Sequence, residues 1–427
     1  MTRPILLALL LLLHPLASMA TEAQDTPPAS QDGIAKNGPS AAEVAQRVDG
    51  LWDVTWSRFY LPKTNLFYDY LSSYEPGKEL AHLPTAAEVQ RQYPNECGYD
   101  TGMEDGMISA GVMLSLIVDK YAVTREETLR KGAFQVFKGI ERCATAHGVP
   151  GFLARAVCAE DLQSVYPNSS RDQYTHAVHG LWLYARSPLC SETTRERIGT
   201  LLSGIADRMT RNVIAENDFD SLRADGSRDT RGISRMWNVQ GHEAARLPMI
   251  YGATWDVTGK QEYYNLYRHY LEPAIEQSFT VTNGQPTYAL QQMQASLELL
   301  STLEQDPGLK EKMNTLMTRV SEQCEDRAAS AGARAGNLDL TMRCTDWRND
   351  EGLSSEGRYR KVWYCIRESG EAALTQLMQE DRPFPAEQAD LLNQAIARLD
   401  PEHVSSCGIF YLQAAYWKAL RRIKDAS

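Results

Sequence analysis

The chain has 427 residues, 43% of them hydrophobic and 23% charged, and a formal net charge of −11. That composition supports a sizeable core, while an acidic balance without a basic block argues against nucleic acid or an anionic membrane surface as partners. The length allows two or three domains, but one large helical toroid can also reach it.

The first twenty residues read as a secretory signal: Arg3, an apolar run from Ile5 to Leu13, and the small-x-small site Ser18-Met19-Ala20. The mature product, starting near Thr21, is expected to be secreted or periplasmic, and no later apolar stretch suggests stable membrane insertion. Residues 21–39 read as a disordered lead-in, and 40–427 as a single domain. All eight cysteines (Cys97, Cys143, Cys158, Cys190, Cys324, Cys344, Cys365 and Cys407) follow the signal, which suggests structural disulfides of open connectivity. No Cys/His spacing suggests zinc, so no metal and no cofactor is expected; oligomeric state has no sequence signal.

Order begins at Ser40, where Ser40-x-x-Glu43 forms a capping-box pattern that recurs at Thr85, Thr124 and Thr193. Strand alternation is nearly absent, and two kinds of helix alternate. Glu104–Tyr121 is apolar almost all round and should be buried on every side, whereas Arg125–Ala146 carries one apolar stripe and should face solvent. Asp172–Ala185 and Glu192–Val213 repeat that pairing, as do Val239–Trp255 and Gln261–Glu276. Tyr288–Leu303 pairs with a helix opened by Asp306 and Pro307; Glu371–Met378 and Ala386–Leu399 are weaker, and Ser406–Ile423 is rich in aromatics. Roughly a dozen helices in inner and outer partners predict an all-α fold, an (α/α) toroid of about six hairpins. In such a ring the N-termini of the inner helices meet at one end, where a polar substrate could lie.

Four polar clusters stand at those helix starts. Asp100, Glu104 and Asp105 crowd three carboxylates into six residues; repulsion should split their pKa values into acid and base, although helix capping would explain the same residues. Arg171, Asp172, Gln173, Tyr174, His176 and His179 open the second buried helix. Asp172 suits acid–base work; Tyr174 or His176 suits proton abstraction beside a carboxylate that Arg171 neutralises; satisfied core residues are the alternative. The two histidines lack a third ligand for a metal. Trp237, His242, Glu243 and Arg246 form the third cluster, with His242 and Arg246 on one face and Pro248 expected to kink the helix. The fourth, Arg343–Arg367, reads as a long irregular segment in which Trp347, Arg348, Tyr359 and Trp363 could form a disulfide-tied lid over a sugar, or simply a solvated basic loop. The mixed-charge stretch Asp218–Arg235 reads as solvated surface.

CGYDTGMEDGMISAG at 97–111, SSRDQYTHAVHGLW at 169–182 and YGATWDVTGKQEYYNLYRHYL at 251–271 resemble the six-hairpin (α/α) toroid carbohydrate-active enzymes, glycoside hydrolases and polysaccharide lyases among them. The resemblance covers about residues 90–330 and implies a carbohydrate substrate and a catalytic aspartate at an inner-helix start, here Asp172. The expectation is an exported enzyme that hydrolyses glycosidic bonds in an oligo- or polysaccharide, uronic-acid glycans included, with Asp105 and Asp172 as the carboxylate pair and Tyr174, His176, His242 and Arg246 around the sugar. A lyase using Tyr174 or His176, and a non-catalytic glycan-binding or envelope protein, stay open as alternatives.

Overall fold

The alternation of wholly apolar and one-faced segments resolves into two rings of helices. A computed structural model describes residues 38–349, 353 and 357–426; the proposed signal and lead-in up to residue 37 lie outside them. In chain order the helices are α1 (Ala41–Val54), α2 (Ala86–Gln90), α3 (Gly106–Thr124), α4 (Thr128–Thr145), α5 (Arg171–Arg186), α6 (Glu192–Asn212), α7 (Arg246–Thr258), α8 (Gln261–Ser278), α9 (Thr287–Leu303), α10 (Pro307–Ala335), α11 (Arg358–Leu377), α12 (Ala386–Ala397) and α13 (Gly408–Asp425). Among the described residues the only sheet is one antiparallel hairpin, β1 (Tyr60–Leu61) with β2 (Leu66–Phe67).

Packing closes the ring. Each of α3, α5, α7, α9 and α11 lies against the next odd-numbered helix, and α13 returns to α3. Outside them, α4, α6, α8, α10 and α12 pack on their inner neighbours, and α1 reaches α12 and α13 to complete the sixth hairpin. The expected (α/α) toroid is therefore the fold. Helix α3 is long and apolar enough to cross a membrane by length and composition, contrary to the expectation that no such stretch follows the signal, but here it is a buried wall of the ring.

Small residues let the inner helices approach closely. A Cβ on Gly111 would stand 2.0 Å from the His176 carbonyl oxygen, and one on Gly180 2.6 Å from the Gly111 carbonyl, so α3 and α5 meet backbone to backbone. Gly408 does the same between α13 and α11, where a Cβ would lie 2.4 Å from the Arg367 nitrogen. These contacts draw the polar starts of α3, α5 and α11 together.

Several local expectations change. Capping boxes form at Ser40 and Thr85, but Thr124 ends α3 and Thr193 lies inside α6, whose cap is Ser191. Pro248 sits in the first turn of α7, where a missing N–H costs nothing, so it starts the helix and does not kink it. His242 is in a short 3-10 turn, Gly241–Glu243, ahead of α7, so it does not share a helix face with Arg246. Helix α11 begins at Arg358, well before the expected Glu371: its first half is rich in Arg, Lys and aromatic residues and carries no hydropathy signal, yet it forms an inner wall because ion pairs and rings bury those residues. All eight cysteines are free and buried, so no disulfide ties a lid.

Candidate active site

The site is built first by the loop before α3. Gly98, Asp100 and Gly102 all have positive φ (68°, 72° and 81°), and the Glu104 carboxylate closes the turn by accepting hydrogen bonds from the Asp100 nitrogen at 3.1 Å and the Gly102 nitrogen at 2.8 Å. Holding Asp100, a residue with a Cβ, in the left-handed region has a conformational cost. The turn leaves the Asp100 side chain in the cavity, where no donor among the described residues reaches its carboxylate.

Asp105 is the N-cap residue of α3 but makes no side-chain capping bond. Its Oδ2 accepts from Arg367 Nη1 at 2.6 Å, and Arg367 Nε donates to Glu371 Oε1, also at 2.6 Å. Arg367 is buried in α11, its guanidinium 5.0 Å from the Trp363 ring and 5.2 Å from the Tyr411 ring. Across the ring, Arg246 in α7 reaches back to pair with Asp172 in the first turn of α5. A third buried cation, Arg155, donates to the Glu104 carbonyl at 2.9 Å and to the Tyr99 hydroxyl at 3.3 Å.

Together these elements enclose a cavity of about 480 Å³, lined by residues of the 97–105 loop and the starts of α3, α5, α9 and α11. Asp100, Glu104, Asp105 and Asp172 supply its acids, and Arg155, Arg360 and Arg367 its cations. Tyr99, Tyr288, Trp363 and Tyr364 supply aromatic faces, and Tyr288 is the most open of them at 38% exposure. Arg360 lies 4.4 Å over the Trp363 ring, and no acceptor among the described residues reaches its guanidinium. A somewhat larger cavity, about 510 Å³ near Arg58 and Glu160, lies away from the helix starts and gathers no comparable cluster.

The carboxyls in the site are unequal. Burial raises Asp172, but Arg246 and Arg171 outweigh it and hold the group below its ordinary value. Burial lifts Asp100 above its ordinary value, with Arg360 opposing only in part. Burial, then the Asp105 charge, pushes Glu104 up to about 7. Asp69, buried beneath them with Oδ2 accepting from the Asp105 nitrogen at 3.1 Å, is driven well up, first by burial and then by Glu104 and Asp105. Carboxyls with separated proton affinities thus share one cavity.

Of the residues singled out in the sequence, Asp100, Glu104, Asp105, Asp172, Gln173 and Trp363 line this cavity. Gln173 bridges α5 to α3 by donating to the Glu104 carbonyl at 2.9 Å. Arg246 supports the cavity from behind Asp172. The others lie elsewhere. Tyr174 is fully buried, its hydroxyl accepting from the Leu153 nitrogen at 3.2 Å, and burial raises its pKa. His176 is buried against Tyr411, kept neutral by burial and then by Arg367 with a pKa of about 3. Arg171 binds Glu243 and the Gly232 carbonyl, clamping the 218–235 stretch onto α5. That stretch is solvated surface only in part: Asp225, Arg228 and Arg231 are exposed, but Asp220 and Asp229 are buried, Asp229 Oδ1 accepts from Asn168 Nδ2 at 2.8 Å, and Ile233 lines the cavity.

His242 lies beside Glu243 at 3.7 Å, outside the cavity, and Trp237 packs on Tyr270. Trp347 donates to the His82 carbonyl at 2.8 Å, Arg348 pairs with Glu88, and Tyr359 donates to the Ser405 carbonyl at 2.9 Å. These three brace the periphery; each has a protein partner that keeps it from a ligand. Sequence reading passed over Asp69, Arg155, Tyr288 and Gln292, and took Arg360 and Arg367 only as part of the irregular Arg343–Arg367 segment. For Tyr288 the signal was present, since it opens an inner helix; Arg360 and Arg367 were hidden by the misread start of α11.

No protein-family model matches this chain, and no curated protein matches it in sequence. Solved structures with a related backbone include cellobiose 2-epimerase from Spirochaeta thermophila (11% identity, TM-score 0.46, covering 91% of this chain and 99% of that one) and a sugar epimerase from a ruminal bacterium (12%, 0.45, 83% and 85%). The GH76A alpha-1,6-mannanase from Salegentibacter sp. is a further one (11%, 0.38, 66% and 88%). The likeness is distant and lies in the backbone; the chemistry of this chain is set by the side chains of its own cavity.

Proposed function

We propose that this protein is an exported enzyme that hydrolyses a glycosidic bond in an oligo- or polysaccharide lying across the mouth of the ring. The carrying observation is the inequality of Asp100 and Asp172 in one cavity. Asp172, kept anionic by Arg246, is the base or nucleophile; Asp100, raised and without a donor to its carboxylate among the described residues, is the proton donor to the leaving oxygen. Asp105, first in line from the sequence, is engaged by Arg367, so Asp100 takes the acid's place. Tyr288 and Tyr364 offer faces for sugar rings, and Arg360, stacked on Trp363 and without an acceptor among the described residues, suits the carboxylate of a uronic acid.

A lyase using Tyr174 or His176 gains no support, because both are sealed in the core and neither lines the cavity. The test is a panel of neutral and uronic-acid oligosaccharides, assayed for new reducing ends and for the ultraviolet absorbance of an unsaturated product. Hydrolysis gives reducing ends without absorbance, and Asp172→Asn abolishes them. An absorbing product, isomerised sugar without new reducing ends, or binding without turnover would each contradict the proposal.

A further inference from the structure

The floor of the cavity holds a side chain that neither the charge pairs nor the acid–base reading uses. Gln292, in the second turn of α9, lines the cavity and is 0% exposed. Both its Oε1 and its Nε2 lack a hydrogen-bond partner, and among the described residues it is the one side chain with two such buried atoms. Its neighbour on the same helix, Gln294, is satisfied on the nitrogen by the Met317 carbonyl and Ser321 Oγ. Buried polar atoms in native proteins nearly always find partners, so an amide left bare on both atoms in a cavity-lining residue is suited to a group that enters the cavity, reached by a turn of the side chain that brings its edge out of cover.

We infer that Gln292 reads two adjacent hydroxyls of a sugar ring seated on the cavity floor, which rests on the glycan reading above and adds a specificity determinant to it. A primary amide presents its C=O and one N–H side by side on one edge, so it can accept from one hydroxyl while donating to the next. A vicinal diol matches that edge. A secondary amide such as an N-acetyl group does not, since its N–H and C=O point in opposite directions. Deoxygenation or acylation at either position would leave one amide atom buried and unpaired, which is how a polar site rejects a near-substrate.

The test uses simple diols and needs no turnover. Crystals of the full chain are soaked in glycerol, which carries adjacent hydroxyls, and separately in 1,3-propanediol, which does not. Glycerol should seat both hydroxyls within hydrogen-bond distance of Gln292 Oε1 and Nε2, and 1,3-propanediol should reach at most one. Gln292→Met, close in shape and without polar atoms, should lose the glycerol and melt no lower than the parent, with a rise of about 2 °C. A Gln292 amide bonded to its own protein neighbours, a floor without glycerol, or a Gln292→Met variant that melts several degrees lower would each overturn the inference. A chain inactive on every glycan that still seats glycerol here would refute the hydrolase reading alone.

Discussion

Two charged networks on the inner helices make an instructive contrast. In the wall of the ring, Glu298 of α9 accepts from Lys418 Nζ of α13 at 2.7 Å and lies 2.8 Å from His179 Nε2 of α5, all three buried. At the mouth, Asp100, Glu104, Asp105 and Asp172 face Arg155, Arg360 and Arg367 around a hollow, with Arg246 behind Asp172. The residue types are alike, but the wall triad is closed on itself while at the mouth the Asp100 carboxylate, the Arg360 guanidinium and the Gln292 amide have no hydrogen-bond partner among the described residues. Completed pairing marks scaffold, and incomplete pairing at a cavity marks the place where something else binds.

The contrast predicts different outcomes for substitutions. The largest effect is on turnover: Asp172→Asn should lower the rate of glycan hydrolysis by about 10³-fold in protein that is still folded, with a lower melting temperature because buried Arg246 loses its counter-charge, measured by reducing-end release and calorimetry. Lys418→Met should act on stability, removing about 3–5 kcal/mol in denaturant titrations because Glu298 loses its cation inside the core. Adding Glu298→Gln to Lys418→Met should recover part of that loss, since it removes the stranded charge. If Lys418→Met were silent in stability, the wall triad would not be scaffold.

Smaller effects sharpen the same distinction. Tyr288→Ala should raise KM about 2–10-fold with little change in kcat, as expected for a rim ring that stacks on sugar. Glu104, raised from 4.5 to about 7, binds its proton more tightly folded than unfolded. Its contribution is therefore full below 4.5 and lost as pH rises through 7, so the melting temperature of Glu104→Gln relative to the parent should climb between those values. Glu298, lowered to about 2, has the opposite sign: its contribution is present above 4.5 and lost as pH falls toward 2. Treatment with a reductant should leave the melting temperature unchanged, because all eight cysteines are free thiols.

Legibility in the sequence followed hydropathy. The apolar-all-round runs of α3 and the one-faced stripes of α4, α6 and α8 announced inner and outer helices directly, and with them the ring. The start of α11 was hidden because an inner helix that buries Arg367 and Trp363 looks like a polar segment until its partners are known. Asp172 was legible as a first-turn carboxylate. Tyr174 and His176 were not separable from it by spacing alone, because which face of α5 meets the cavity depends on the close approach of Gly111 and Gly180. The eight cysteines misled for a similar reason: an even count carries no information about distance.

The central claim is that Asp100 and Asp172 are an acid and a base held at separated affinities. The pH dependence of kcat/KM for the parent and for Asp100→Asn tests it most directly. The account predicts a bell for the parent, its acid limb below the ordinary aspartate value and its alkaline limb above it, with low residual activity and no alkaline limb in Asp100→Asn. An alkaline limb that persists unchanged in Asp100→Asn would contradict it.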